Sequence, residues 1–83
     1  MAEELIGTVS DFFARPGVAG IDLNGLVRVG DRIKIKGHTT AMEMTVESMQ
    51  INNALVNEAR AGDSVGIKVS ERVRKGDSVY KVV

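Results

Sequence analysis

Gly30-Asp31-Arg32-Ile33-Lys34-Ile35-Lys36 joins a tight turn to a strand, and the chain opens the same turn again at Gly62-Asp63 and Gly76-Asp77. Glycine reaches the positive φ that a tight turn needs, and aspartate ties its side chain to nearby backbone amides. A β-rich run follows each turn: Arg32–Lys36, Ser64–Val69 and Ser78–Val83. The first two alternate with period two, which puts Ile33 and Ile35, or Val65, Ile67 and Val69, on one face. These are half-buried strands with polar outer faces.

Toward the N-terminus, Leu5–Phe13 reads as a first strand closed by the loop signal Arg15-Pro16-Gly17. Val18–Leu23 reads as a second, ending at Asn24-Gly25. Met42, Met44 and Val46 alternate, then the spacing jumps at Glu47-Ser48 before Met49 and Ile51. A β-bulge there would keep both halves facing the core. Ala54–Ala61 has no apolar stripe and reads as a loop with at most one helical turn. Six short strands between glycine turns predict one all-β domain over residues 1–83, a small closed six-stranded β-barrel. Closure would remove the open edges of a lone sheet.

Composition is that of an ordinary globular domain, 43% hydrophobic and 27% charged. A chain of 83 residues buries only about 60–65% of its unfolded surface, so its stability is marginal. It has no cysteine, which leaves neither disulfides nor a thiolate metal site and fits the cytoplasm. The start Met-Ala-Glu-Glu-Leu is acidic rather than signal-like, and no apolar run approaches the roughly 20 residues that cross a bilayer. The expectation is a cytoplasmic protein with no membrane contact. Net charge is zero but unevenly spread: residues 28–38 and 68–83 are each +3, and residues 1–27 and 39–67 are each −3.

Catalytic patterns are thin. His38 is the single histidine and falls at a hairpin tip beside Thr39 and Thr40, without an orienting third group or an oxyanion hole. Glu43 and Glu47 are too sparse for a metal. No glycine stretch has the form that cradles phosphate, so no bound nucleotide is expected. Ala41-Met42-Glu43-Met44 is similar to the Ala-Met-Lys-Met hairpin of biotin-carrying domains, but Glu43 stands where the acceptor lysine must be. A protein that is not an enzyme and carries no cofactor is expected.

Binding surfaces offer two candidates. Arg32, Lys34 and Lys36 share a strand face at about 6.5–7 Å spacing, close to that of nucleic-acid phosphates. Arg28, and Arg72, Arg74 and Lys75, could extend that row. Such cations also serve simply as a solvated face that discourages edge pairing. Phe12 and Phe13, beside the Pro16 loop, are the candidate for docking onto a protein.

Several landmarks run in order along the chain: Ile6-Gly7-Thr8-Val9, Pro16-Gly17-Val18-Ala19-Gly20, Leu26-Val27-Arg28-Val29-Gly30-Asp31-Arg32-Ile33, Thr45-Val46-Glu47-Ser48-Met49, Ala59-Arg60-Ala61-Gly62-Asp63-Ser64-Val65-Gly66-Ile67 and Gly76-Asp77-Ser78-Val79. In these the chain resembles the second domain of the translational GTPases: elongation factor Tu, the selenocysteine-specific elongation factor and initiation factor two. The resemblance implies a translation-factor barrel without its GTPase domain. Of the family's tRNA-end pocket it retains Glu47, whereas Ser48, Met49, Gln50 and Ser64 replace the remaining positions. The function it implies is a non-catalytic, translation-associated module contacting tRNA, rRNA or the ribosome through the basic face. The alternative is a protein-interaction module that docks onto a separate enzyme or GTPase.

Overall fold

In the computed structural model, which describes residues 2–83, the alternating segments form ten strands. They are β1 (Glu3–Phe13), β2 (Val18–Leu23), β3 (Val27–Arg28), β4 (Arg32–Lys36), β5 (Ala41–Thr45), β6 (Met49–Ile51), β7 (Ala54–Val56), β8 (Glu58–Ala59), β9 (Ser64–Lys68) and β10 (Ser78–Val82). Eight of them make one antiparallel sheet in the order β5-β4-β10-β1-β2-β9-β6-β7, and β3 pairs with β8. No helix occurs among the described residues.

The inward side chains of both halves of that sheet meet in one cluster. Ile33, Ile35 and Met42 come from β4 and β5, Ile21, Ile67 and Met49 from β2, β9 and β6, and Ile6, Val9 and Val79 from the strands between. One face that buries a single cluster has to curl around it. Eight strands laid flat would span about 34 Å across the sheet, and the longest dimension of the molecule is 29 Å.

The all-β expectation holds, but the closed six-stranded barrel does not. The hydrogen-bonded ladder has two ends, β5 and β7. Its interruption lies at Val46, where the bulged strand was expected to run on. There the Val46 N–H donates to the Asp31 carbonyl at 2.8 Å, and the Val46 carbonyl accepts from Gly30 N–H at 2.8 Å. Val46 therefore serves a turn instead of the sheet, and the expected single strand divides into β5 and β6, with Met42, Val46 and Met49 all still buried.

That exchange is one of three alike. The Gly-Asp pairs turn out to be the ends of Arg28-Val29-Gly30-Asp31, Arg60-Ala61-Gly62-Asp63 and Arg74-Lys75-Gly76-Asp77. In each turn the aspartate N–H donates to the arginine carbonyl at 3.0 Å. The arginine N–H donates back to the aspartate carboxylate at 2.9, 3.0 and 2.8 Å. The glycines, at φ 98°, 93° and 95°, hold the left-handed position this turn requires. Each glycine N–H then donates to the carbonyl of a distant residue, Val46, Leu23 or Val9, whose own N–H donates to the aspartate carbonyl. The arginine, glycine and aspartate N–H groups at these corners are thereby all satisfied.

The segment expected to be loop, 54–61, is instead β7 and β8. Asn52 and Asn53 both have positive φ, 52° and 65°, and turn β6 back on β7 in a two-residue hairpin. At the chain ends, Ala2 and Val83 exchange backbone hydrogen bonds at 3.2 and 2.9 Å, continuing the β1–β10 pairing.

Candidate functional site

The expected basic row is interleaved with carboxylates. Lys34 and Lys36 reach past Tyr80 to Glu3, each donating to it at 2.7 Å, and Lys36 lies 5.2 Å from the Tyr80 ring centre. Arg32 pairs with Glu43, and Arg28 pairs with Glu58 at 2.8 Å. Arg60 shares Glu58 at 3.0 Å. The hydrogen bonds from Arg60 and Arg28 hold Glu58 below the usual carboxylate range, and that from Arg32 does the same for Glu43. Arg72, Arg74 and Lys75 form no ion pair among the described residues. The β4–β10 register sets Lys36 opposite Ser78, just past that segment. The two basic blocks thus adjoin, and the three cations of the strand row are ion-paired with two carboxylates, Glu3 and Glu43, which leaves the row one positive charge in excess.

Glu3 is the centre of this network, with its carboxyl drawn down to about 2 by the hydrogen bond from Lys34 and then that from Lys36. A carboxylate with a depressed folded pKa stabilises the fold above its unfolded value, and that contribution fades as pH falls through the folded one. Stability should therefore decline between about pH 4.5 and about 2. In Glu3→Gln that part of the acid-side decline should be missing. Carboxyl NMR titration reads it directly, and a Glu3 midpoint in the ordinary glutamate range would contradict the network.

A cleft of about 640 Å³ lies elsewhere, on the outer face of β1, β2, β9 and β6. Its position follows from register. Asp11 stands opposite Gly20, Gly20 opposite Gly66, and Gly66 opposite Gln50, so one row crosses four strands as carboxylate, bare backbone, bare backbone, amide. Gly20 and Gly66 are not positive-φ residues, so their conformation does not demand glycine. A Cβ would come within 3.3 Å of Ser10 Oγ at Gly20, which can turn aside, and 3.1 Å of Val18 Cγ1 at Gly66, which is stiffer. Glycine inside a strand marks a bend or a place where another molecule approaches closely.

Phe13 and Val18 wall one end of this trough, and the Asn52-Asn53 turn overhangs it. Near the opposite end Ser64 donates its hydroxyl to Asp22 at 3.1 Å. Phe13 is 50% exposed, whereas Phe12 turns the other way and packs against the core. The two candidate docking aromatics are thus separated, and only Phe13 belongs to the cleft. Glu47 lies in a second, smaller cleft between β5 and the end of β9, with Lys68 and Ser70. His38 is exposed in the β4–β5 hairpin. Among the described residues no group of three or more acidic or histidine side chains could hold a metal, and no helix is long and apolar enough to cross a membrane. Sequence reading missed the trough because each glycine alone reads as strand or turn; only register aligns them.

Over 76 residues, 90% of this chain, the sequence is 45% identical to part of an uncharacterized protease of Methanocaldococcus jannaschii. A collagenase of Porphyromonas gingivalis is 33% identical over 78 residues, 92% of this chain. The likeness runs to peptidases. The chain spans only about a fifth of the length of these curated relatives, 19% and 22%. Among solved structures, the C-terminal domain of a Geobacillus thermoleovorans protein described as a U32 peptidase superposes with a TM-score of 0.89 at 19% identity, over 96% of this chain and 93% of that domain. The selenomethionine variant of that domain gives 0.87, over 92% of this chain and 96% of its own. At that identity the match speaks for the fold. No protein-family model matches the chain.

These relatives overturn the resemblance to the translational GTPases, and with it the translation setting and the tRNA, rRNA or ribosome as partner. The landmarks behind that resemblance are largely the Arg-x-Gly-Asp corners and the strands they clasp. Such turn chemistry reports how a curled sheet makes its corners, and it is not a sign of the work the protein does.

Proposed function

We propose that this chain is a non-catalytic accessory domain of a peptidase system, which docks onto a peptidase catalytic chain or domain. The observation that carries the reading is the 45% identity, across 90% of this chain, to one portion of a much longer protease. The chemistry of the surface agrees with it. The one histidine is exposed in a hairpin, and the chain has no cysteine, so it offers neither a thiol nucleophile nor a histidine base set beside a nucleophile. What the fold offers is a rigid sheet with an outward cleft, the kind of surface that positions a partner. The exposed Leu55 and Phe13 border the same face.

The test is co-expression with the catalytic portion of a U32-type peptidase from the same organism, followed by size-exclusion chromatography and calorimetry. A complex with Kd on the order of 10 μM or tighter is expected. The chain alone should leave a casein substrate intact. Absence of association at tenfold higher concentration, or proteolysis by the isolated chain, would refute the reading.

A further inference from the structure

We propose that the Gly20–Gly66 trough seats an arginine side chain carried on an extended segment of a partner polypeptide. This deepens the docking reading above by naming what the cleft recognises. The floor is two opposed glycines, so two neighbouring strands present flat peptide surface with no side chain above it. A planar group can lie against such a floor, and the ring of Phe13, two residues from Asp11 on the same strand, borders it. Asp11 is the only charged residue that lines the cleft. One of its oxygens already accepts the Phe12 N–H at 2.8 Å, which fixes the direction of the carboxylate.

A guanidinium satisfies these features together. It is flat, it stacks on aromatic faces, and it pairs with a carboxylate through two parallel N–H bonds. Its remaining donors need acceptors, and the amides of Gln50, Asn52 and Asn53 line the same cleft. Among the described residues none of these three side chains is hydrogen-bonded within the protein. A lysine ammonium would use the charge of Asp11 but neither the flat floor nor the ring. The volume of about 640 Å³ is in the range of about 300–1,000 Å³ that encloses a ligand far larger than one side chain. The excess room, edged by amides, suits the peptide groups that flank the arginine.

The probe is the peptide Ac-Ala-Ala-Arg-Ala-Ala-NH2, titrated into the ¹⁵N-labelled chain and followed by amide chemical shifts. Saturable shifts at Asp11, Gly20, Gln50 and Gly66 are expected, with Kd on the order of 1 mM or tighter. The lysine peptide should bind at least about fivefold more weakly, and the citrulline peptide, which keeps the shape and loses the charge, about tenfold more weakly. Free arginine should also bind more weakly than the peptide. Asp11→Asn keeps the acceptor for Phe12 N–H and should weaken binding about tenfold, and Gly66→Val should abolish it by filling the floor. Four results would each overturn the proposal: shifts that map elsewhere or do not saturate, a lysine peptide equal to the arginine peptide, free arginine equal to the peptide, or an unchanged affinity in Asp11→Asn. The same variant separates this inference from the docking reading. A catalytic chain that binds wild type and Asp11→Asn alike retains docking and sinks the trough. A trough that binds the peptide while no catalytic chain associates does the reverse.

Discussion

Ile67→Ala should lower stability by about 3–4 kcal/mol, the range expected when a fully buried aliphatic side chain leaves a cavity that its surroundings cannot fill. Ile67, the fourth residue of β9, is completely buried. It sits opposite Ala19 on one side and Met49 on the other. Both neighbours are themselves buried and held in the ladder, so neither can move far into the space. A domain of 83 residues commands only about 4–12 kcal/mol in total. The substitution therefore removes a large share of it, and an appreciable unfolded fraction at 37 °C is the expected result. Urea denaturation reads the loss as a lower midpoint with an unchanged slope. Leu55→Ala is the control: Leu55 is 75% exposed on β7, and its removal should change stability by no more than about 0.5 kcal/mol. A loss at Ile67 as small as that at Leu55 would mean that the cluster is not the core described here.

The second large effect is at Gly37. A Cβ there would overlap the carboxylate of Asp77. Asp77 is only 5% exposed, and its carboxylate is committed to the Arg74 N–H at 2.8 Å. It cannot swing out of the way without opening the third corner turn. Gly37→Ala should therefore cost about 2–3 kcal/mol, the overpacking of a close-packed site. Asp77→Ala, which leaves the Arg74 N–H without its partner, should cost about 2 kcal/mol. The informative quantity is their coupling. Once Asp77 has lost its carboxylate, the new methyl at Gly37 has room, so the double variant should be more stable than the sum of the two losses by about 1–2 kcal/mol. Strict additivity would show that the two residues do not meet.

The strands beside strong alternation were legible in the sequence. Arg32–Lys36 and Val18–Leu23 have the bounds that their periodicity and flanking turns predict, because a half-buried strand writes its two faces directly into the residues. What failed was anything decided by a distant partner. The corners at Gly30, Gly62 and Gly76 were visible as turns, but the residues they clasp, Val46, Leu23 and Val9, lie far along the chain and carry no mark of it. Asn52-Asn53 was a local signal passed over, since asparagine enters the left-handed region more readily than most residues, and reading it would have converted the expected loop into a hairpin.

The candidate sites divide in the same way. The alternation of Arg32, Lys34 and Lys36 was plain, yet its meaning depended on Glu3, which the strand order β4-β10-β1 brings within reach of both lysines. Nothing local in Met-Ala-Glu-Glu announces that. Exposed ion pairs of this kind contribute little to stability, but here they offset most of the charge that the alternation alone displays. Phe13 was legible as an exposed aromatic. The trough beside it was not, for it is made of absent side chains, Gly20 facing Gly66, and emptiness shared by two strands shows only once they are paired.

The hydrogen bonds between Ala2 and Val83 place the two ends of the described chain side by side. From there β1 leads away, and Asp11 follows Glu3 by eight residues, a contour of at most about 25 Å. The trough thus lies away from the ends, along β1. If the chain is tethered through either end to a larger body, the attachment becomes a pivot and the domain an arm, with its cleft carried along it. Rotations about that pivot would carry Asp11 and Phe13 with the sheet on which they stand.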